Sequence, residues 1–346
     1  VPALFEKNIY EQYGLYCDEK FSFGQYEGFR SGEHTYVLMP SLRRQDHLRV
    51  QMAWATELQS MGIPQIAELV PDVNEKAVTK VDGMQQLLFR LPQWSPREGA
   101  EATSEGETLA LIHAFSRGWV PEVGELHLYG RWLSLWEARM EQLEAFQQTI
   151  AHRLQKTAFD EQFLYTFPYY LGRAETAMQW LVEEGREQLL PPYEATITHT
   201  RFTPRAWMVA DEHRTQVKMP LSFVYDHPAR DIGEQLRYWY EKDDEAEAAD
   251  FLQKYTHGQP LPSQTWALVG ARLLFPLSYI ELVEEHYMNE GVSDARSSVS
   301  EEPLEMALAG EERYMKHISQ CLRAELPEVA NAHWFTRERL AKFFSM

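Results

Sequence analysis

Hydrophobic periodicity changes character once along this chain, at the polar stretch 92–102 with its two prolines. Before it, apolar residues come in short runs broken by glycine and turn residues. After it, they recur at spacings of three and four. A chain that keeps its strands apart from its helices in this way makes an α+β protein, not an alternating α/β one. The expected organisation is a small sheet-rich lobe over residues 1–92, a hinge at 93–102 and a large helical lobe over 103–346.

In the first segment, residues 21–29 are rich in aromatics, and His34 to Met39 reads as a strand that stops at Pro40. Together they predict a hairpin turning at Arg30-Ser31-Gly32. Leu48, Met52, Ala55, Leu58 and Met61 share one helical face over 44–61, and Gly62 and Pro64 end it. Two further strands, 77–81 and 86–91, flank the turn signal Asp82-Gly83. Beyond the hinge, Ser104-Glu105-Gly106-Glu107 reads as a capping box that opens a helix ending at Phe115. Trp132, Trp136, Met140, Leu143, Phe146, Ile150 and Leu154 mark a long helix whose stripe reads as core. One helix is expected near 172–184 and a pair beyond 230. The charge run 241–247 reads as a solvated surface, and 289–302 as a loop.

Charge excludes one class of partner. With 33 Lys+Arg against 52 Asp+Glu the formal charge is −19, and no basic stripe exists to displace counterions from a nucleic acid. Cys17 and Cys321, at opposite ends, give neither a disulfide framework nor metal-ligand spacing. His227, His257 and His286 also lack ligand spacing, and neither G-x-S-x-G nor H-E-x-x-H occurs. The start, Val1-Pro2-Ala3-Leu4-Phe5-Glu6-Lys7, has no basic region followed by an apolar run, so synthesis in the cytoplasm without a signal peptide is expected. No stretch reaches the ~18 apolar residues of a membrane span.

The informative stretch holds His199, Arg201 and Ala206, then Pro220-Leu221-Ser222 and Asp226-His227-Pro228-Ala229-Arg230-Asp231. In frame it resembles small-molecule kinases of the aminoglycoside-phosphotransferase and choline-kinase type. Their catalytic loop is H-x-D-x-x-x-x-N, and a D-[FW]-[DE] metal motif follows. His199 keeps the first position. Arg201 stands where the resemblance places the catalytic Asp, Ala206 at the metal-binding Asn, and Pro220 near the metal-binding Asp. Met39 falls at the ATP-clamping Lys, and Glu57 near that lysine's ion-pair partner.

Those losses bear on chemistry. Phosphoryl transfer needs carboxylate and amide oxygens to hold Mg²⁺ against the phosphates and an Asp to orient the acceptor hydroxyl. Losing a general base alone costs ~10²–10⁴ in rate. A guanidinium 4 Å from Mg²⁺, at an effective dielectric near 20, adds about 8 kcal/mol of repulsion if it points inward.

Three stretches carry a closer resemblance: Tyr129-Gly130-Arg131-Trp132 running on to Trp136-Glu137-Ala138-Arg139, Phe167-Pro168-Tyr169-Tyr170, and Asp226 through Gly233. With them the chain resembles, over 10–340, the CotS-related spore coat proteins of endospore-forming bacilli, and among these the YutH-type members. The resemblance implies a protein-kinase-like two-lobed fold and a place in the spore coat beside other coat proteins. It carries over no catalytic residue, cofactor or metal. Asp226 and Asp231 are the weak alternatives as metal ligands. Their structural reading puts Asp226 in the turn before His227-Pro228 and Asp231 at the cap of a helix starting at Ile232. Three functions follow: an inert coat component acting by protein contacts, a divergent small-molecule kinase, or a nucleotide-binding module in which Arg201 replaces Mg²⁺.

Overall fold

Every second residue from Tyr36 to Met39 faces the same side, and each side finds a helix. The computed structural model describes residues 4–23, 26–41, 44–63, 65–92, 104–186, 194–201, 207–209, 216–289 and 302–326. Six strands make one antiparallel sheet: β1 (Glu19–Phe23), β2 (Tyr26–Ser31), β3 (His34–Pro40), β4 (Glu68–Val70), β5 (Thr79–Val81) and β6 (Met84–Arg90). Its order is β1-β2-β3-β6-β4, with β5 also on β6. Tyr36 and Leu38 join Phe29, Val81 and Leu88 under Phe5, Ile9 and Tyr13 of α1 (Leu4–Tyr13). Val37 and Met39 join Leu87 and Phe89 on the other face, against Leu48 of α2 (Gln45–Ser60). Period-two alternation in the strands and period-four spacing in α1 therefore bury the sheet on both sides.

The turns follow local backbone chemistry. Ser31 pairs with His34, so the hairpin loop is Gly32-Glu33, later than the expected Arg30-Ser31-Gly32, and Gly32 takes the positive φ of 57°. Asp82 and Gly83 both have positive φ, 48° and 87°, as a two-residue turn between Val81 and Met84 requires. The second strand of this hairpin begins at Met84, ahead of the expected 86.

By their internal contacts, residues Val1–His127 and Ala195–Tyr225 form one compact unit, and Leu128–Glu194 and Asp226–Met346 another. The expected hinge 93–102 lies outside the described residues. In the first unit the sheet is joined by α3 (Glu105–Phe115), β7 (Thr196–His199), β8 (Trp207–Val209), β9 (Gln216–Lys218) and the start of β10 (Phe223–Asp226). The capping box is formed: Glu107 N–H donates to Ser104 Oγ, and Ser104 N–H to Glu107 Oε2. At the far end of α3, Ser116 Oγ accepts the Ile197 N–H at 2.8 Å and so anchors β7. β7 pairs with β10, and β8 with β9.

The second unit is helical: α4 (Trp132–Ala151), α5 (Ala158–Arg186), α6 (Ala229–Glu241), α7 (Glu245–Thr256), α8 (Ser263–Leu274), α9 (Leu277–Asn289) and α10 (Glu302–Glu325). Five described helices lie beyond residue 228 where the sequence suggested a pair. The helix expected at 172–184 is the second half of α5. Trp132, Trp136, Met140, Leu143 and Ile150 of α4 are buried, whereas Leu154 lies past the helix end and is fully exposed. Ser263–Met288 contains an 18-residue window of mean hydropathy 1.4, of which 78% is buried, so α8 and α9 serve as core.

α8 reaches α5 through Gly270. A Cβ there would stand 3.0 Å from both Trp180 Cη2 and Leu322 Cδ2. Gly270→Ala is expected to cost about 1–3 kcal/mol by overpacking, read from the shift in urea midpoint. The charge run 241–247 is largely exposed, yet it is anchored. His317 Nε2 of α10 lies 2.7 Å from Asp243 Oδ1, and Asp243 sits at φ 61°. The hydrogen bond from His317 holds the Asp243 carboxyl below its usual range. A carboxyl more acidic in the folded than in the unfolded chain contributes stability above its ordinary range and loses it as pH falls through the folded value. His317→Ala should therefore flatten the acid limb of a stability-against-pH curve.

Candidate functional site

β7 delivers His199 into the interior, where its fully buried ring stands edge-on to Phe223 at 5.4 Å. Thr200 N–H then donates to Ser222 O at 2.7 Å, tying the start of the loop to a 3₁₀ turn at Pro220–Ser222. Half-buried Arg201 comes next. Ala206 lies outside the described residues. Pro220 opens the 3₁₀ turn and is buried, and Ser222 Oγ closes it on Met219 O at 2.8 Å. The loop start and the turn at Pro220–Ser222, where the resemblance expects a metal-binding Asp, thus come together, and residues 217–225 contain no carboxylate.

Met39, expected at the lysine position, is packed among hydrocarbon. It is 6% exposed and shares one cluster with Val217 and Met219, which flank Lys218 at the end of β9. A thioether there offers no charge to a phosphate. Glu57 does not face it either: it lies on the exposed side of α2. The fully buried polar side chain of α2 is Gln51, whose Nε2 donates to Leu221 O at 3.0 Å and Phe223 O at 2.9 Å. α2 thus holds the backbone of the 3₁₀ turn and of β10 with a buried amide.

Sequence reasoning missed Lys218. Its side chain is fully buried, and its ammonium donates to Glu105 Oε1 in the first turn of α3. Its backbone is fixed as well, donating to Gln65 O at 2.7 Å and accepting from Ala67 N–H at 3.0 Å. An uncompensated ammonium at that depth would be costly, so the pair belongs together. Lys-Met in a short strand and a glutamate inside a capping box gave no signal that they meet.

In the helical unit, Asp226 is saturated by neighbours. Oδ2 accepts from Trp132 Nε1 at 2.7 Å and Arg230 Nε at 2.5 Å, and Oδ1 accepts from His227 N–H at 2.7 Å. His227 Nδ1 accepts from Ala229 N–H at 3.0 Å, which turns the chain into α6. Pro228 is the N-cap, so Asp231 lies within the first turn of α6, fully buried, and does not cap a helix starting at Ile232. Arg272 extends the network, stacking 4.7 Å over Trp132 and donating to Glu234 at 2.7 Å. Burial, and next the like charge of Arg230, bring the Arg272 pKa down to about 10. Both oxygens of Asp226 are thus spoken for by protein donors. Among the described residues, no group of three or more His, Cys, Asp or Glu side chains is placed to hold a metal ion.

Comparison with known proteins fits this geometry. A family model described as "Spore coat putative kinase YutH" matches residues 6–321. The endospore coat-associated protein YutH of Bacillus subtilis is 28% identical over 338 residues, covering 94% of this chain and 96% of that protein. An aminoglycoside phosphotransferase from Alicyclobacillus acidocaldarius superposes with TM-score 0.66 at 16% identity, covering 95% of this chain and 98% of its own. A spectinomycin phosphotransferase solved with ADP and spectinomycin gives TM-score 0.59 at 12% identity, over 89% and 97% of the two chains. A microcompartment-associated aminopropanol kinase gives 0.55 at 13%, over 88% and 91%. At such identities these structures speak for the fold alone, and that fold is the α+β, kinase-like one expected from the sequence. With the family match spanning most of its length, the chain belongs to the spore coat YutH family and is built on the kinase-like phosphotransferase fold.

Proposed function

We propose that this protein is a catalytically silent, kinase-like constituent of the endospore coat, working through contacts with other coat proteins and without ATP, Mg²⁺ or turnover. The packing of Met39 against Val217 and Met219 carries this reading. Hydrocarbon fills the neighbourhood where a phosphotransferase sets a charged lysine, and Arg201 and Pro220 stand where it sets carboxylates. The kinase-like lobes are proposed to run over 1–92 and 103–346. The coat location leans on the Bacillus subtilis relative, which is named an endospore coat-associated protein.

Thermal unfolding with nucleotide tests the silence. A ligand present at a hundred times its dissociation constant would add about 2.7 kcal/mol to stability. No shift is expected with millimolar ATP, with or without Mg²⁺. A shift that needs Mg²⁺, together with transfer of labelled phosphate to any acceptor, would establish a divergent kinase. A shift with ATP alone would establish a nucleotide-binding module. For location, a fluorescent fusion made during sporulation should ring the forespore; diffuse signal in the mother cell would contradict a coat role.

A further inference from the structure

Two tyrosines stand against one another on the surface of the sheet-bearing unit. Tyr10, on the last turns of α1, is 50% exposed, and Tyr16, just past its end, is 69% exposed. Their ring centroids are 4.9 Å apart with the planes 37° from parallel. The nearby Tyr10 phenol raises the Tyr16 pKa, which keeps Tyr16 a phenol at neutral pH. Gly14, between them at φ 66°, turns the chain back so that the second ring returns to the first. Exposed apolar rings usually lie singly on a surface. This pair is close enough for an ortho carbon of one to meet an ortho carbon of the other after a small ring rotation.

We propose that Tyr10 and Tyr16 form an oxidative modification site, at which a peroxide acting through a peroxidase couples the two rings into an intramolecular dityrosine. Each phenol loses one electron and one proton to give a tyrosyl radical. The radicals join by one new carbon–carbon bond between ortho positions. Each of the two carbons then loses its hydrogen to an oxygen as the rings re-aromatise. One equivalent of hydrogen peroxide takes up the two electrons and two protons and leaves as two waters. Proximity favours this pair over any other, because the partner radical is held in contact and need not arrive by diffusion. The neighbouring thiol competes weakly: burial, first, and the nearby carboxylates raise the Cys17 pKa, so little thiolate is present. The product would staple the last turns of α1 to the segment that leads into β1.

The full-length protein, treated with hydrogen peroxide and a haem peroxidase, should remain monomeric and become two hydrogens lighter. It should gain dityrosine fluorescence and yield a proteolytic fragment in which Tyr10 and Tyr16 are linked. Tyr10→Phe and Tyr16→Phe, both at exposed positions that leave the fold intact, should each abolish the fluorescence. Tyr165→Phe, at another exposed tyrosine, should leave it unchanged. Undiminished fluorescence in Tyr16→Phe, covalent dimers in place of the linked monomer, or a Tyr16–Cys17 adduct instead of the biphenol would each overturn the assignment. The outcome is independent of nucleotide binding, so it stands or falls apart from the silent-kinase reading.

Discussion

Lys218→Met should destabilise the protein by about 3–5 kcal/mol, because it leaves the Glu105 carboxylate buried without its cation. The side chain it removes is fully buried, and its partner is 11% exposed. Lys218→Met combined with Glu105→Leu should recover most of that loss, and by the general behaviour of buried pairs replaced with hydrocarbon it could exceed the wild type by about 1–4 kcal/mol. Urea denaturation of the four proteins in a double-mutant cycle measures the coupling. A single variant within experimental error of wild type would mean that the pair is solvated in solution and braces nothing. The cycle also bears on function. If the pair is a fixed brace of the sheet-bearing unit, nucleotide should leave the stability of all four proteins unchanged.

Asp226→Ala should likewise cost about 3–5 kcal/mol, since it strands the Arg230 guanidinium and the Trp132 indole N–H in the interior. Asp226→Asn should cost less, because the amide oxygen still accepts one of those bonds. The measurement that matters is the same comparison with and without Mg²⁺. A residue whose oxygens are filled by Trp132, Arg230 and the His227 N–H gains nothing from the ion, so the loss should be identical in Mg²⁺ and in chelator. A penalty seen only with Mg²⁺ present would make Asp226 a metal ligand and revive the divergent-kinase reading.

Local signals were legible and long-range ones were not. The capping box at Ser104, the Asp82-Gly83 turn and the α4 stripe each depend on residues a few positions apart; the first two formed where their spacing said, and the stripe did so as far as Ile150, with Leu154 exposed beyond the helix end. Helix α1 obeys the same logic, with Phe5, Ile9 and Tyr13 at period four. For Arg201, Ala206, Pro220 and Met39 the motif frame supplied an address for each expected group, and the sequence shows which residue stands there. The long-range partners of Gln51 and Lys218 had no such address. Gln51 bonds to carbonyls some 170 positions on, and Lys218 pairs with a glutamate more than a hundred positions before it. Nothing in either local pattern selects those partners. Glu57 shows the cost of reasoning by frame alone: its position along α2 was plausible, but the helical phase turned it outward.

The sheet-bearing unit is discontinuous: it needs Ala195–Tyr225 as well as Val1–His127. During translation, β9 and its Lys218 emerge long after the sheet that they complete. At about 5–20 residues per second, the roughly hundred codons between His127 and Tyr225 take about 5–20 s. For that interval Met39, Leu87 and Phe89 lack the Val217 and Met219 that cover them in the finished protein. The nascent chain therefore leaves the ribosome with one face of its first-made sheet incompletely sealed, a window in which chaperones have something to hold.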